Sequence, residues 1–311
     1  MRLGIDLGGT KIEAIALDDG GAILSRERVP TPKNDYGSVI AAIAGLVRDT
    51  ERKIGRRGSV GVAIPGTIST KTGLVKNANS TRLIGHPLDA DLARALGRPV
   101  RVANDANCFA LSEATDGAAA GKDVVFGIIA GTGVGGGVCV GGRVLTGAHG
   151  IAGEWGHNPL PRPRQDELPG PACYCGRAGC IEAWCSGGAL AREFGKATGR
   201  ALDAAAVAQA AASGDAEAVR AMDLFLDRVA RAVATLVNIL DPDAIVMGGG
   251  LSNIAALYGE LPARIERYAF TAEAPPLVLK NRHGDSSGVR GAAWLWREDE
   301  AALGLPRDVP G

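Results

Sequence analysis

Two glycine-rich turns, each set between apolar runs, constrain this chain more than any other feature. Residues 2–17 read as an apolar strand, the turn Asp6-Leu7-Gly8-Gly9-Thr10-Lys11, and a second apolar strand. Roughly 120 residues later, residues 124–140 repeat the pattern around Gly131-Thr132-Gly133. Two hairpins with Gly-Thr at the turn predict a duplicated domain, each hairpin opening one half. Between them strands and helices alternate. Ser38 to Arg52 has helical periodicity, Val60 to Ile64 is a buried strand ended by Pro65-Gly66, and Asp89 to Leu96 is a helix. Val100 to Ala103 is a strand, and a helix starts at Asn104-Asp105 and runs through Ala114. Further on, Val219, Met222, Leu226, Val229, Val233, Leu236 and Leu240 mark one apolar stripe of a long helix. Asp241-Pro242 ends that helix, and the strand Ala244 to Met247 runs into Gly248-Gly249-Gly250. This alternation predicts an α/β fold, with an N-terminal domain over 1–118 and a C-terminal domain over 119–311.

The length of 311 residues suits two domains, and 46% hydrophobic residues can supply their cores. Lys+Arg and Asp+Glu balance at 34 each, so no global field attracts nucleic acid. Residues 124–142 carry no charge over 19 positions, the length of a membrane span. Eight of them are Gly, however, which breaks the run into strand, turn and strand and argues against a span.

The segment 153–182 carries a second kind of chemistry. His157 and the thiols Cys173, Cys175 and Cys180 have the number and softness to close a tetrahedral zinc site. Cys173 and Cys175 grip from one tight turn, and Gly176 and Gly179 let the backbone bend so that Cys180 reaches the same ion. A disulfide is the other reading of paired thiols. Met1-Arg2 leads directly into a strand with no secretory signal, so a reducing, cytoplasmic setting is expected. Cys108, Cys139 and Cys185 sit among apolar or small residues and read as core.

Glycine turns after strands let backbone N–H groups approach an anion. Two facing turns, at Gly8-Gly9-Thr10 and Gly131-Thr132-Gly133, would clamp a polyphosphate, and Gly249-Gly250 suits a nucleoside. No Walker sequence occurs. Gly131 to Gly136 matches a dinucleotide fingerprint as a string, but a strand rather than a helix follows it. Asp105 lies at a helix start, where the positive end of the helix favours an ionised base. Asp at this position also serves as a plain helix cap.

Taken as a set, Asp6-x-Gly-Gly-Thr-Lys11, Asn104-Asp105-x-Asn107, Gly131-Thr132-Gly133-x-Gly135, Gly153-Glu154-x-Gly-His157, Cys173-x-Cys175-Gly-x-x-Gly-Cys180-x-Glu182 and Gly248-Gly249-Gly250 resemble the ROK family of sugar kinases across essentially the whole chain. Residues 75–81, 154–161 and 283–294 look most like the bacterial fructokinases, with the N-acetylglucosamine kinases a nearby branch. The resemblance implies an actin-like, ribonuclease-H-like ATPase fold, with two α/β domains around a cleft. It also implies a C-terminal helix near Gly291 to Asp299 that returns to the first domain, and a homodimer. By the same resemblance, Asp105 is the catalytic base, and Asn79, Asn104, Asp105, Glu154, His157 and Glu182 surround a hexose. Asp6 orients Mg2+ of MgATP through water. Gly8, Gly9, Thr10, Lys11, Gly131, Thr132, Gly133 and Gly135 hold phosphates, although Lys11 reads equally well as a solvated strand-edge residue. Zinc on His157, Cys173, Cys175 and Cys180 is structural, because four protein ligands leave no open position.

The reading that follows is ATP-dependent phosphorylation of a hexose at its 6-hydroxyl, fructose first, with mannose and glucose secondary. An N-acetylglucosamine kinase is the alternative. A sugar-sensing repressor of the same family carries a winged-helix domain before the first strand, and here that strand starts at once. A zinc-ribbon nucleic-acid binder needs a second knuckle and a basic patch, and only one knuckle and a zero net charge are found.

Overall fold

The computed structural model describes residues 1–33, 35–78, 80–271, 274–284, 287–297 and 300. Asn79, one of the expected sugar contacts, lies outside the described residues. The chain divides into two compact units. The first comprises Met1–Asp116, Gly142–Ala152 and Asp285–Gly311; the second comprises Gly117–Gly141 and Gly153–Gly284. A boundary at 118/119 does not anticipate the return of residues 142–152 to the first unit. That return has a local cause: Thr70 Oγ1 donates to Ala148 O and Lys76 Nζ donates to His149 O at 2.7 Å.

The first unit is built on a mixed sheet, β3-β2-β1-β4-β7, with β1 (Arg2–Leu7), β2 (Lys11–Leu17), β3 (Ile23–Pro30), β4 (Ser59–Ile64) and β7 (Val100–Asn104). β1, β2 and β3 pair antiparallel; β1, β4 and β7 pair parallel. A two-stranded ribbon, β5 (Thr67–Ile68) and β6 (Val75–Lys76), follows β4. β1 is buried along almost its whole length because helices cover both of its faces. Leu3, Ile5 and Leu7 pack with Val39, Ile43 and Val47 of α1 (Tyr36–Ile54). The other face carries Gly4, and α10 (Ser287–Trp294) lies against it. A Cβ at Gly4 would stand 2.0 Å from Val289 O, and one at Gly61 would stand 1.9 Å from Ala292 O. Only glycine admits a helix backbone at that distance. α1 starts on Asp35, whose carboxylate accepts Ser38 N–H, and ends at Gly55 in the left-handed region. α2 (Leu88–Leu96) and α3 (Asp105–Thr115) complete the unit.

The second unit repeats the opening. β8 (Val124–Ala130) and β9 (Val134–Val140) form an antiparallel hairpin, and the short β10 (Arg143–Val144) follows in the chain. β8 pairs parallel with β11 (Ala244–Gly248), which pairs parallel with β12 (Val278–Lys280). The helices of this unit are α4 (Ile181–Cys185), α5 (Gly187–Thr198), α6 (Ala204–Ala212), α7 (Ala216–Leu240), α8 (Ala256–Gly259) and α9 (Leu261–Glu266). α7 is capped by Asp215, which accepts from Glu217 N–H and Ala218 N–H, and stops at Asp241. Met222, Leu226, Val229 and Val233 of its predicted stripe are buried, whereas Val219 is 47% exposed. Val219, with Met222 and Leu226, lines a cavity. Among the described residues no helix is long and apolar enough to cross a membrane.

Candidate active site and metal centre

In the first unit the glycine turn is fastened from behind and open in front. Gly8 N–H donates to Lys11 O at 3.0 Å, and Thr31 Oγ1 donates to Gly8 O at 2.8 Å. Gly9, Thr10 and Lys11 are exposed. Lys11 Nζ lies 4.0 Å from Glu13, so it leans on a carboxylate while half in solvent. Glu13 is buried and receives Arg26 Nε at 2.5 Å and Arg28 Nε at 2.7 Å. Burial would raise its pKa, but the hydrogen bonds from Arg28 and Arg26 outweigh that and hold it below the usual carboxylate range.

Asp6 stands opposite Glu13 in the β1–β2 register. Its environment is the reverse. Burial first, then the charges of Asp105 and Glu13, push its pKa up from 3.8 to about 6, with Lys11 opposing. The sign follows from linkage. The folded state binds the Asp6 proton more tightly than the unfolded chain, so this stability is full below pH 4 and is lost as pH rises through about 6. A shift of about two units corresponds to about 3 kcal/mol. Asp6→Asn is therefore expected to raise unfolding stability at pH 8 by roughly 1–3 kcal/mol and to leave it nearly unchanged at pH 4. Urea titrations at the two pH values check this; equal effects at both would refute the burial account.

β7 delivers Asn104 and Asp105 to the start of α3. Asn104 is the cap: its Oδ1 accepts from Ala106 N–H at 2.9 Å and Asn107 N–H at 3.4 Å, and its Nδ2 donates to Gly66 O at 3.2 Å. Asp105 is thereby the first helical residue, with Oδ1 accepting from Ala106 N–H at 2.8 Å. Capping and carboxylate chemistry are thus divided between neighbours.

In the second unit Gly131 N–H donates to Gly133 O at 2.9 Å, closing the second turn. Gly249, at φ 75°, brings the turn after β11 onto the end of β8, where a Cβ would meet Ala130 O at 2.5 Å. These two turns border a cavity of about 1020 Å3. Gly131, Thr132, Gly250 and Asn253 line one side, and Ala204, Ala208 and Gln209 of α6 and Met222 and Leu226 of α7 line another. The α6 contribution has no sequence signal. Its run of alanines shows little contrast between faces, so nothing marks the ones that wall a cavity.

The ligand loop converges. One ligand atom from each of His157, Cys173, Cys175 and Cys180 lies within 4.8 Å of all the others. Cys173 Sγ is 3.6 Å from His157 Nδ1, and Cys175 Sγ is 3.6 Å from Cys180 Sγ. A tetrahedron with Zn–S near 2.3 Å and Zn–N near 2.0–2.1 Å has edges of about 3.5–3.8 Å. The donor set fits zinc on those distances. The fold makes the cluster with two backbone bridges, Ala172 to Ala178 and Pro159 to Cys180. His157 Nε2 lies 3.0 Å from Tyr174 Oη, a partner that the sequence hides between two cysteines. Glu154 is exposed at the start of the short turn that ends on His157. Glu182 links two features: Oε2 accepts Val134 N–H at 2.9 Å at the second glycine turn, and Oε1 is 4.0 Å from Cys173 Sγ.

Two mixed sheets, each opened by a glycine-turned hairpin, and a loop presenting one histidine and three cysteines define an α/β protein with the sugar-kinase fold. The ROK family model matches residues 2–299, and the chain belongs to the ROK family. It is 40% identical over 299 residues to the N-acetyl-D-glucosamine kinase of Pectobacterium atrosepticum, covering 95% of this chain and 98% of that protein. Among solved structures, the ROK hexokinase of Thermus thermophilus superimposes with a TM-score of 0.82 at 39% identity, covering 94% of this chain and 97% of that one. The ROK family glucokinase of Streptomyces griseus, solved with glucose and AMPPNP, gives 0.72 at 31% identity, covering 96% and 99%.

Proposed function

We propose that the protein transfers the γ-phosphoryl group of ATP to the 6-hydroxyl of N-acetyl-D-glucosamine. The observation that carries the sugar is the 40% identity, over 95% of the chain, to a kinase of that name. Fructose, the first expectation, draws no specific support from these relatives, and the alternative becomes the main reading. The nucleotide part is supported by the cavity bordered by Gly131, Thr132 and Gly250, and by the AMPPNP held in the Streptomyces griseus relative.

In this reading Asp105 accepts the proton of the attacking hydroxyl as the γ-phosphorus is approached in line. Glu154, Glu182, Asn104, Asn79 and His157 supply partners to the sugar hydroxyls, each of which needs one once water is excluded. Gly8, Gly9, Thr10 and Lys11, with Gly131, Thr132, Gly133 and Gly135, approach the phosphates, and Gly249 and Gly250 border the nucleoside. Asp6 holds the water shell of Mg2+; a cation there offsets the cost of its buried charge. Zinc on His157, Cys173, Cys175 and Cys180 is structural and fixes the loop bearing Glu154 and Glu182. A homodimer, expected from the family resemblance, is part of the proposal, and sedimentation at assay concentration checks it.

The test is ADP release with MgATP against N-acetyl-D-glucosamine, glucose, mannose and fructose. The expected result is the highest kcat/KM with N-acetyl-D-glucosamine. Preference for fructose would restore the first expectation. No turnover of any sugar by zinc-loaded protein would overturn the kinase reading.

A further inference from the structure

Glu167 is the most deeply buried carboxylate among the described ion pairs of the second unit, with a side chain fully out of solvent. It accepts from Arg228 Nε at 2.8 Å, from Arg231 Nη1 at 2.9 Å and Nη2 at 2.8 Å, and from Arg164 N–H at 2.8 Å. Burial alone would raise its pKa; the Arg231 and Arg228 hydrogen bonds overcome this and hold it at about 2. Arg231 Nη1 also donates to Pro161 O at 3.2 Å and Arg162 O at 2.8 Å, which fastens the same segment through its backbone.

The placement matters more than the charge. Glu167 lies just before Cys173, on the stretch of chain that enters the ligand hairpin. Trp184 lies just after Cys180, on α4, where the chain leaves it. Arg228 of α7 touches both: it donates to Glu167, and its guanidinium sits 4.2 Å from the Trp184 ring centroid. Between the two segments Gly170 and Gly179 are in contact, since a Cβ at Gly170 would stand 2.5 Å from Gly179 Cα. The base of the hairpin is thus held shut from one helix.

We infer that Arg228, with Glu167 and Trp184, is a positioning set for the His157/Cys173/Cys175/Cys180 centre: it fixes the separation of the two arms and thereby sets the affinity for zinc. The inference rests on the reading that this centre holds zinc. Buried ion clusters add little net stability over apolar residues of the same size, so stability alone gives weak reason to place one here. Fixed geometry at the root of a four-ligand hairpin does give a reason, because groups that orient metal ligands typically contribute 10–100-fold in affinity.

The test is competition for zinc between a chromophoric chelator and the full-length protein, for wild type, Glu167→Gln, Arg228→Lys and Trp184→Phe. Val233→Ala, in the core face of the same helix, is the control for general destabilisation. The three clamp variants are expected to bind zinc roughly 10–100-fold more weakly. The control should lower the melting temperature yet stay within about twofold of wild type in zinc affinity. If Arg228→Lys does not fold, Glu167→Gln and Trp184→Phe carry the test. Folded clamp variants within about twofold of wild type, or a control that loses affinity as they do, would overturn the positioning role alone. A wild-type protein that takes up no zinc would overturn both this role and the zinc reading beneath it.

Discussion

Asp105→Asn is expected to lower kcat for sugar phosphorylation by roughly 10²–10⁴-fold, the usual worth of a positioned general base, while leaving the protein folded. The substitution keeps shape and removes the proton acceptor. Fold is spared because Asn104 rather than Asp105 caps α3, holding Ala106 N–H and Asn107 N–H. One repulsion is also relieved, since the Asp105 charge is among the causes that raise the pKa of Asp6. A melting temperature no lower than wild type should therefore accompany the loss of turnover. Steady-state kinetics with equilibrium binding of the sugar separates the contributions: kcat falls and sugar affinity holds. Retention of kcat within about tenfold would remove Asp105 from the base role.

The second large effect concerns the metal centre. Cys180→Ser, or removal of zinc by a chelator, is expected to raise the KM for the sugar by roughly tenfold or more, a loss of about 1.4 kcal/mol or above. Cys180 is 1% exposed and sits where the hairpin closes onto α4, so a hydroxyl there is both a poor zinc ligand and a buried polar group. Structural zinc in isolated finger peptides contributes about 10–16 kcal/mol. That is an upper bound here, because the bridges at Ala172 to Ala178 and Pro159 to Cys180 and the Glu167 clamp already hold the loop. Release of the loop frees Glu154 and Glu182 from their fixed positions. Glu182 also accepts Val134 N–H at the second glycine turn, so a smaller rise in the KM for ATP should follow. Wild-type kinetics from a protein verified as zinc-free would show that the loop holds its shape unaided.

Much of this was legible in the residues, and the reason differs by element. Both hairpins could be read because glycine clusters interrupt otherwise apolar runs, and the β1–β2 and β8–β9 pairings follow that punctuation. The ligand cluster could be read because soft donors at short spacing have few other uses; their 3.6 Å separations agree with a shared ion. The Glu167 cluster was not legible. In sequence, Glu167, Arg228 and Arg231 look like the charges of any solvated loop or helix, and only packing removes them from water. Asn104 and Asp105 could not be told apart as cap and first helical residue, since either type caps equally well. Val219 continued the apolar stripe of α7 yet lines a cavity, because periodicity reports a face and not what faces it. The preferred sugar was the least legible of all. It depends on ångström-scale placement of loop side chains, which spacing along the chain does not encode.

The glycines at positions 4 and 61 have a consequence for how the chain is made. They open a trough in the first sheet that α10 fills, yet α10 is encoded some 220 residues after β4. During synthesis the first sheet emerges first and must wait, its trough uncovered, until α10 has followed it out of the ribosome. The second unit, apart from its opening hairpin, is encoded continuously from Gly153 to Gly284 and has all its parts in hand earlier. Nascent-chain folding therefore runs against the order of the sequence: the half that starts the chain is the half that closes last.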